Sequence, residues 1–319
     1  MPSSHVGPLS RGTPVRDALD GAVTAIAAAG CETPRLDAEL LLAHTLGVSR
    51  ERLFIACLPA CAPGGVPSRV PPAIGGTRQG ESDLTVAGPA VRTFQDFVRR
   101  RSVQREPVAY ILGRRHFRRL ELAADPRALI PRPETELLVE VALTLPPESR
   151  VLDVGTGSGA VALAVKDERP DLYVTGSDLS PDALELARSN GERLGLDVRW
   201  LCADLFEGVP DEFDGVPDEF DAVLSNPPYV RDGDRAALTP EILRHEPPFA
   251  LFAGADGLDA IRPLVAQAGK RTAVKLLALE VGAGQASAVG ELMRAAGFTT
   301  VRAERDLAGI ERVVIGERP

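Results

Sequence analysis

The apolar run Val151-Leu152-Asp153-Val154 passes directly into alternating glycines, Gly155-Thr156-Gly157-Ser158-Gly159, and then into a stretch of helical character. Glycine tolerates backbone conformations closed to other residues, so such a strand-turn-helix junction brings main chain close to a ligand and aims helix N–H groups at it. The pattern then recurs as short β-branched runs separated by helices, the mark of a doubly wound parallel sheet. Strands are expected at Val151–Val154, Tyr173–Asp178, Val198–Cys202, Ala222–Ser225 and Lys275–Val281, with helices near 159–168, 181–194 and 257–269. Two late strands, near Thr299–Ala303 and Arg312–Ile315, would complete a seven-stranded sheet with a hairpin at its edge.

The first hundred residues follow a different period and read as a small helical bundle. Thr13 and Pro14 supply an N-cap and a first-turn residue, Val23, Ile26 and Ala27 give an apolar stripe, and Gly30 ends the helix. A second helix runs from about Arg35 through Leu40, Leu41 and Leu42 to Gly47, a third begins at Ser49, and helical pattern returns over Phe94–Val103. Residues 58–90 are rich in Pro, Gly, Ala and Ser without apolar period, so a loop or disordered insertion is expected there. The expected division is a helical docking domain over 1–115, a hairpin and linking helix over 116–149, and the sheet domain over 150–319. GVPDEFD at 208–214 is repeated unchanged at 215–221, which reads as a lengthened surface loop between the third and fourth strands.

Composition narrows the partners. With 44% hydrophobic and 25% charged residues among 319 the chain is globular, and no apolar run approaches the ~20 residues of a membrane span. No secretory signal is read in residues 1–12, so a cytoplasmic protein is expected. Cys31, Cys57, Cys61 and Cys202 read as free thiols; Cys57 and Cys61 could be half a zinc site, but no second pair follows at ligand spacing, and no metal is expected. Net charge is −9 but uneven, +5 over residues 1–130 and −14 thereafter. Nine arginines fall between Arg92 and Arg119, opposed there by Asp96 and Glu106; this is either a solvated helix face or a place for a negatively charged partner.

The chemistry concentrates at the predicted sheet edge. The glycines at 155, 157 and 159 make G-x-G-x-G rather than the G-x-G-x-x-G that admits a dinucleotide pyrophosphate, which is nearer to a loop holding a nucleoside joined to methionine. Asp153, just before it, can meet a cationic amino group. Asp178, ending the second strand, can accept both hydroxyl hydrogens of a ribose, though SPDALELA behind it also suits a helix cap. Asp204 and Leu205, after the third strand, are placed for an adenine amino group and ring. After the fourth strand stands Asn226-Pro227-Pro228-Tyr229. The prolines fix the backbone, leave carbonyls without neighbouring N–H donors, and hold the tyrosine ring where it can cover a flat group. The four histidines, His5, His44, His116 and His245, read as structural or exposed.

REPVAYILG at Arg105–Gly113, LIPRPETELLVE at Leu129–Glu140, LDVGTGSG, the NPPY tetrapeptide, EPPFALFAGADGLDAIRPL at Glu246–Leu264, LEVGAGQ at Leu279–Gln285 and DLAGIERVV at Asp306–Val314 together resemble the HemK/PrmC family of bacterial release-factor glutamine methyltransferases. The resemblance spans most of the chain. It implies a Rossmann-like class I methyltransferase domain behind a small helical domain that contacts the release factor. It implies S-adenosyl-L-methionine held by Gly155–Gly159, Asp178, the 204–205 region and Asn226, and a Gly-Gly-Gln glutamine held by Asn226–Tyr229. The 58–90 insertion, and Leu205 where some relatives carry an aromatic residue, depart from the family pattern. A monomer without direct nucleic-acid contact is expected. The same tetrapeptide would suit an adenine amino group in DNA or RNA, reached by base flipping, or a ribosomal-protein glutamine. A catalytically silent cofactor-binding partner of translation factors is the reading from another class.

Overall fold

The computed structural model describes residues 12–57, 84–208, 212–213, 216–217 and 220–319. The chain divides into two compact units, one ending at Leu112 and the other beginning at Gly113. In the first, Val15–Ala28 (α1), Pro34–Leu46 (α2) and Arg50–Ala56 (α3) follow the apolar spacing read from sequence. Gly47 closes α2 in the left-handed conformation, and Ser49 caps α3 by accepting from the Arg52 amide. The cap expected at Thr13 is not formed. A residue before proline is driven from helical to extended backbone, so Thr13–Pro14 forms a strand (β1) paired antiparallel with Thr85–Val86 (β2), and α1 opens without a side-chain cap. That pairing also corrects the insertion: residues 84–90 supply β2 and, from Pro89, the helix Pro89–Arg99 (α4), while 58–83 lie outside the described residues. A wider turn of helix over Arg100–Gln104 leads to Val108–Leu112 (α5). Leu19, Ile26, Leu41, Leu42, Leu53, Phe94 and Val98 close the core of this unit.

Several arginines of the rich stretch are paired within their own unit, while Arg92, Arg99, Arg114 and Arg119 are exposed. In the first, Arg101 Nε donates to Asp37 Oδ2 at 2.6 Å with both side chains buried, Arg100 grips Glu106 with two bonds, and Arg105 donates to the Ala29 carbonyl at the end of α1. In the second, Arg114 pairs with Glu121, Arg115 donates to the Pro131 carbonyl, and Arg118 holds Glu168 at 2.7 Å. Planar guanidinium groups suit such forked contacts, and a cation already paired offers little to a polyanion.

In the second unit a hairpin of Arg114–Phe117 (β3) and Leu120–Ala123 (β4) precedes the helix Glu136–Leu143 (α6). There follow in order Arg150–Val154 (β5), Ala160–Glu168 (α7), Tyr173–Asp178 (β6), Pro181–Leu194 (α8) and Arg199–Cys202 (β7). Glu212–Phe213 (β8), Val216–Pro217 (β9), Ala222–Ser225 (β10), Pro240–His245 (α9), Ile261–Lys270 (α10), Leu276–Glu280 (β11), Ala286–Ala295 (α11), Thr300–Arg305 (β12) and Glu311–Glu317 (β13) complete it. The seven-stranded sheet runs β12-β13-β11-β10-β5-β6-β7, parallel except for β13, which lies antiparallel to both its neighbours.

Alternation along the strands shows why the runs read as continuously apolar. Val151, Ala222, Leu224, Ala278 and Ile315 enter one core with α6 and α7, while Leu152, Val223, Leu277, Leu279 and Val314 enter another with α10 and α11. A sheet covered on both faces needs apolar residues at every position. The duplicated heptapeptide is not wholly irregular, because the end of the first copy (β8) pairs with the start of the second (β9). Residues 209–211, 214–215 and 218–219, and the side chains of β8 and β9, lie outside what is described. Among the described residues no helix is long and apolar enough to cross a membrane, and no three metal-ligating side chains gather. Cys31, Cys57 and Cys202 are free thiols; His5 and Cys61 are not among the described residues.

Candidate active site

From β5 the chain winds to β6 on one side of the sheet and returns to β10 on the other, so the winding reverses between β5 and β10. In open α/β sheets the crevice beyond the carboxyl ends of the strands at such a reversal is where ligands bind. The register puts the residues of interest along this edge: Val154 lies opposite both Ser177 and Ser225, and Ser225 opposite Leu279. One residue further on, Glu280, Asn226, Gly155 and Asp178 stand in a row across β11, β10, β5 and β6. Three strand spacings separate the ends of that row, roughly 14 Å.

The glycine loop is stapled to its neighbours. Gly155, Gly157 and Gly159 all have positive φ (70°, 56° and 83°), open only to glycine without strain. A Cβ at Gly159 would fall 2.9 Å from Trp200, whereas one at Gly155 would meet nothing within 4 Å, so the loop is tight beneath and open at Gly155. The Thr156 amide donates to the Ser177 carbonyl, and the Gly157 amide to Asp178 Oδ2 at 2.9 Å.

Asp153 is 2% exposed, and its Oδ2 accepts from the Thr156 hydroxyl at 2.6 Å and the Ala162 amide at 3.2 Å. Burial, reinforced by the charge on Asp178, pushes its carboxyl up to about 7 against those two hydrogen bonds. Asp178 does not cap α8, a task taken by Ser180 through the Ala183 amide. Each Asp178 oxygen accepts one backbone N–H, from Gly157 and from Ser180, and burial raises its pKa despite both. A carboxylate has about four lone-pair positions, so acceptor capacity for two hydroxyls remains.

Past β7 the Ala203 amide donates to the Asp178 carbonyl, which brings the next turn beside the loop. There Asp204 is exposed, its backbone exchanging bonds with Glu207, and Leu205 holds φ at 55°, a conformation costly for a branched residue. The Leu205 side chain packs on the core that contains Phe206 and Phe220.

Asn226 follows a strand end fixed by Ser225, whose hydroxyl donates to the Val154 carbonyl at 2.7 Å. Its Nδ2 donates to Thr135 Oγ1 at 3.1 Å. Among the described residues none donates to Asn226 Oδ1 or to the Pro227 carbonyl. Tyr229 is held at both ends. Its hydroxyl donates to Glu280 Oε1 at 3.1 Å, and its carbonyl accepts from Gln285 Nε2 at 3.1 Å, while Gln285 Oε1 takes the Gly282 amide. Burial and the nearby Glu280 charge drive the Tyr229 phenol far above its usual pKa, so it stays protonated. Glu280, 1% exposed, also accepts from the Thr135 hydroxyl at 2.6 Å. The segment carrying Thr135 is anchored by Arg132, which donates to the buried Glu246 at 2.7 Å.

Thr135, Glu280, Gln285 and Glu246 were not singled out from sequence. Glu280 carried a readable signal, an acid closing the wholly apolar run Leu276–Leu279, which is the signal that drew attention to Asp178. Of the histidines, His44 lies tilted against Phe97 with ring centroids 5.9 Å apart and His116 is exposed.

Residues 133–251 match the family described as Methyltransferase small domain, and residues 17–57 the PrmC N-terminal domain. A release factor glutamine methyltransferase of Deinococcus radiodurans is 37% identical over 308 residues, covering 95% of this chain and 98% of the relative. One of Gloeobacter violaceus is 45% identical over 224 residues, covering 68% and 76%. A solved protein-(glutamine-N5) methyltransferase of Alicyclobacillus acidocaldarius is 31% identical with a TM-score of 0.36, covering 62% of this chain and 99% of its own.

Proposed function

The chain belongs to the release factor glutamine methyltransferase family, and from that premise we infer how its residues divide the work. It transfers a methyl group from S-adenosyl-L-methionine to the side-chain amide nitrogen of a release-factor glutamine. In our reading that glutamine lies in a Gly-Gly-Gln loop, the enzyme is a monomer in the cytoplasm, and nucleic acid is not a direct partner. The pairing of Arg100, Arg101 and Arg118 with carboxylates of their own unit supports the last point, because binding a polyanion requires cations free to replace its counterions.

The sheet edge fits the cofactor. The open side of Gly155 admits close approach to the main chain of Gly155–Gly159, the remaining lone pairs of Asp178 suit two ribose hydroxyls, and Asp153 suits the methionine ammonium. Asp204 and Leu205 would flank the adenine, and Asn226 would border the cofactor as well as the substrate. When bound, the cofactor supplies an electrophilic sulfonium methyl.

An amide nitrogen shares its lone pair with its carbonyl, as its ~18–20 kcal/mol rotation barrier reflects, and is a poor nucleophile. Positioning must therefore supply much of the rate. The observation that carries the reading is the pair of acceptors at the end of β10, Asn226 Oδ1 and the Pro227 carbonyl, which receive no donor from the described residues. In our reading they take the two N–H hydrogens of the substrate amide while Tyr229, held through Glu280 and Gln285, covers its plane. Both acceptors then stabilise the positive charge growing on nitrogen. Pro228, which has no N–H, keeps the turn from satisfying its own carbonyls.

Asn226→Ala should lower turnover of a purified release factor on the order of a hundredfold, with affinity for S-adenosylhomocysteine changed far less. Near-normal turnover would remove Asn226 from the mechanism. A labelled-cofactor assay on a release factor, a ribosomal protein and DNA side by side separates the proposed substrate from its rivals.

A further inference from the structure

Asn226 is the last link of a directed chain of hydrogen bonds. Glu280 accepts from the Thr135 hydroxyl at 2.6 Å through one oxygen and from the Tyr229 hydroxyl at 3.1 Å through the other, and Thr135 Oγ1 accepts from Asn226 Nδ2 at 3.1 Å. An ionised carboxylate can only accept, and a hydroxyl has one hydrogen to give. With that hydrogen committed to Glu280, Thr135 can only accept from Asn226, so the carboxamide must turn its NH₂ toward Thr135. We propose that Glu280 and Thr135 are positioning residues that set the polarity of the Asn226 carboxamide, turning Oδ1 rather than Nδ2 toward the substrate amide, while Glu280 also fixes the tyrosine that covers it.

The proposal rests on the reading of Asn226 as the acceptor for the substrate N–H. Reversal of the carboxamide would set acceptor against acceptor at Thr135, and an unmade hydrogen bond in a partly buried site costs more than the net worth of one that is made. Among the described residues the Asn226 side chain bonds to Thr135 alone, so that bond sets its orientation. The sequence separations of 91 and 145 residues show that three distant segments were brought together to complete the chain.

The charged and titratable groups that face Glu280 are Tyr229 beyond β10, Glu134 beside Thr135 and Arg312 on β13, with Arg132 acting on Tyr229. Burial raises the Glu280 carboxyl, Glu134 adds to the rise, and the two hydroxyl bonds and Arg312 oppose it. The ionised form is the one that only accepts. As pH falls through the raised pKa, the protonated acid can donate to Thr135, whose hydrogen then turns to Asn226, so kcat should fall on the acid side.

The test uses the full chain with a purified release factor, reading kcat, KM and S-adenosylhomocysteine affinity. Thr135→Val and Glu280→Gln should each lower kcat on the order of 30-fold or more with cofactor affinity within about twofold, and Thr135→Ser, which restores the hydroxyl, should stay within about threefold of the parent. Added to Asn226→Ala, Thr135→Val should lower kcat no further, since residues acting as a unit are not additive. The acid limb of kcat should be lost in Glu280→Gln. Thr135→Val with kcat near the parent, while Asn226→Ala is impaired, overturns this inference and leaves the reading of Asn226 intact. Near-normal turnover in Asn226→Ala overturns that reading itself. If Glu280→Gln does not fold, the Thr135 pair and the double variant decide.

Discussion

Asp153 and Asp178 are carboxylates that the fold desolvates before any ligand arrives. Burial raises both, Asp153 to about 7, and the charge on Asp178 contributes to that rise. A methionine ammonium beside Asp153 and ribose hydroxyls on Asp178 both favour the ionised forms. Binding of S-adenosylhomocysteine should therefore expel protons when the free protein holds them, that is, below about pH 7. The sign follows: affinity rises with pH up to the free-protein pKa and is flat above it, falling up to about tenfold per pH unit per proton on the acid side. Calorimetric titration between pH 5.5 and 8 in buffers of different ionisation enthalpy measures both affinity and proton release. Asp153→Asn should flatten the profile, and an affinity independent of pH in the parent would show that neither carboxyl is protonated in the free protein.

Elements of this fold were legible where the signal was local. The strands Tyr173–Asp178 and Ala222–Ser225 stand where their apolar runs end, and the glycine loop is read from spacing within nine residues. The helix α11 was not read, and neither were the residues behind Tyr229, because Glu280 and Gln285 meet it across 51 and 56 positions and no periodicity reaches that far. Gly257 belongs to the same concealed layer. With φ at 75°, a Cβ there would stand 2.3 Å from the Tyr229 carbonyl and 2.6 Å from Gln285 Nε2. Gly257→Ala must move the tyrosine, so turnover should drop on the order of tenfold to a hundredfold while S-adenosylhomocysteine affinity holds; a parallel loss of both would place the damage in the cofactor loop. The duplicated heptapeptide predicts the opposite result. The end of its first copy pairs with the start of its second, β8 with β9. Deleting 208–214 leaves one copy that still offers a glycine after Glu207 and the Phe220-Asp221 lead into β10, where Asp221 accepts from the Arg150 amide at 2.7 Å. Turnover and melting temperature should change little, since halving a loop alters closure entropy by only ~0.6 kcal/mol; a large loss of activity would make the hairpin part of the site.

On the scale of the whole molecule, the two units close separate cores, one around Leu41, Leu42 and Phe94 and the other on both faces of the seven-stranded sheet. The residues assigned to cofactor and glutamine all lie in the second, after Gly113. If each unit unfolds cooperatively on its own core, calorimetry of the full chain should resolve two transitions that respond to different perturbations. S-adenosylhomocysteine at a hundred times its Kd stabilises the unit that binds it by ~2.7 kcal/mol, which for a unit of that size is a rise of roughly 5–10 °C. Only the transition of the sheet unit should move. The converse probe is the buried Asp37–Arg101 pair, whose side chains are 7% and 8% exposed. Asp37→Ala leaves a guanidinium buried without its carboxylate, a change that costs about 3–5 kcal/mol in comparable pairs. It should lower or abolish the transition of the helical unit while the other keeps its temperature and its response to the cofactor analogue. A single transition that both perturbations shift together would show that the two cores melt as one, and that the division of labour between the units does not extend to stability.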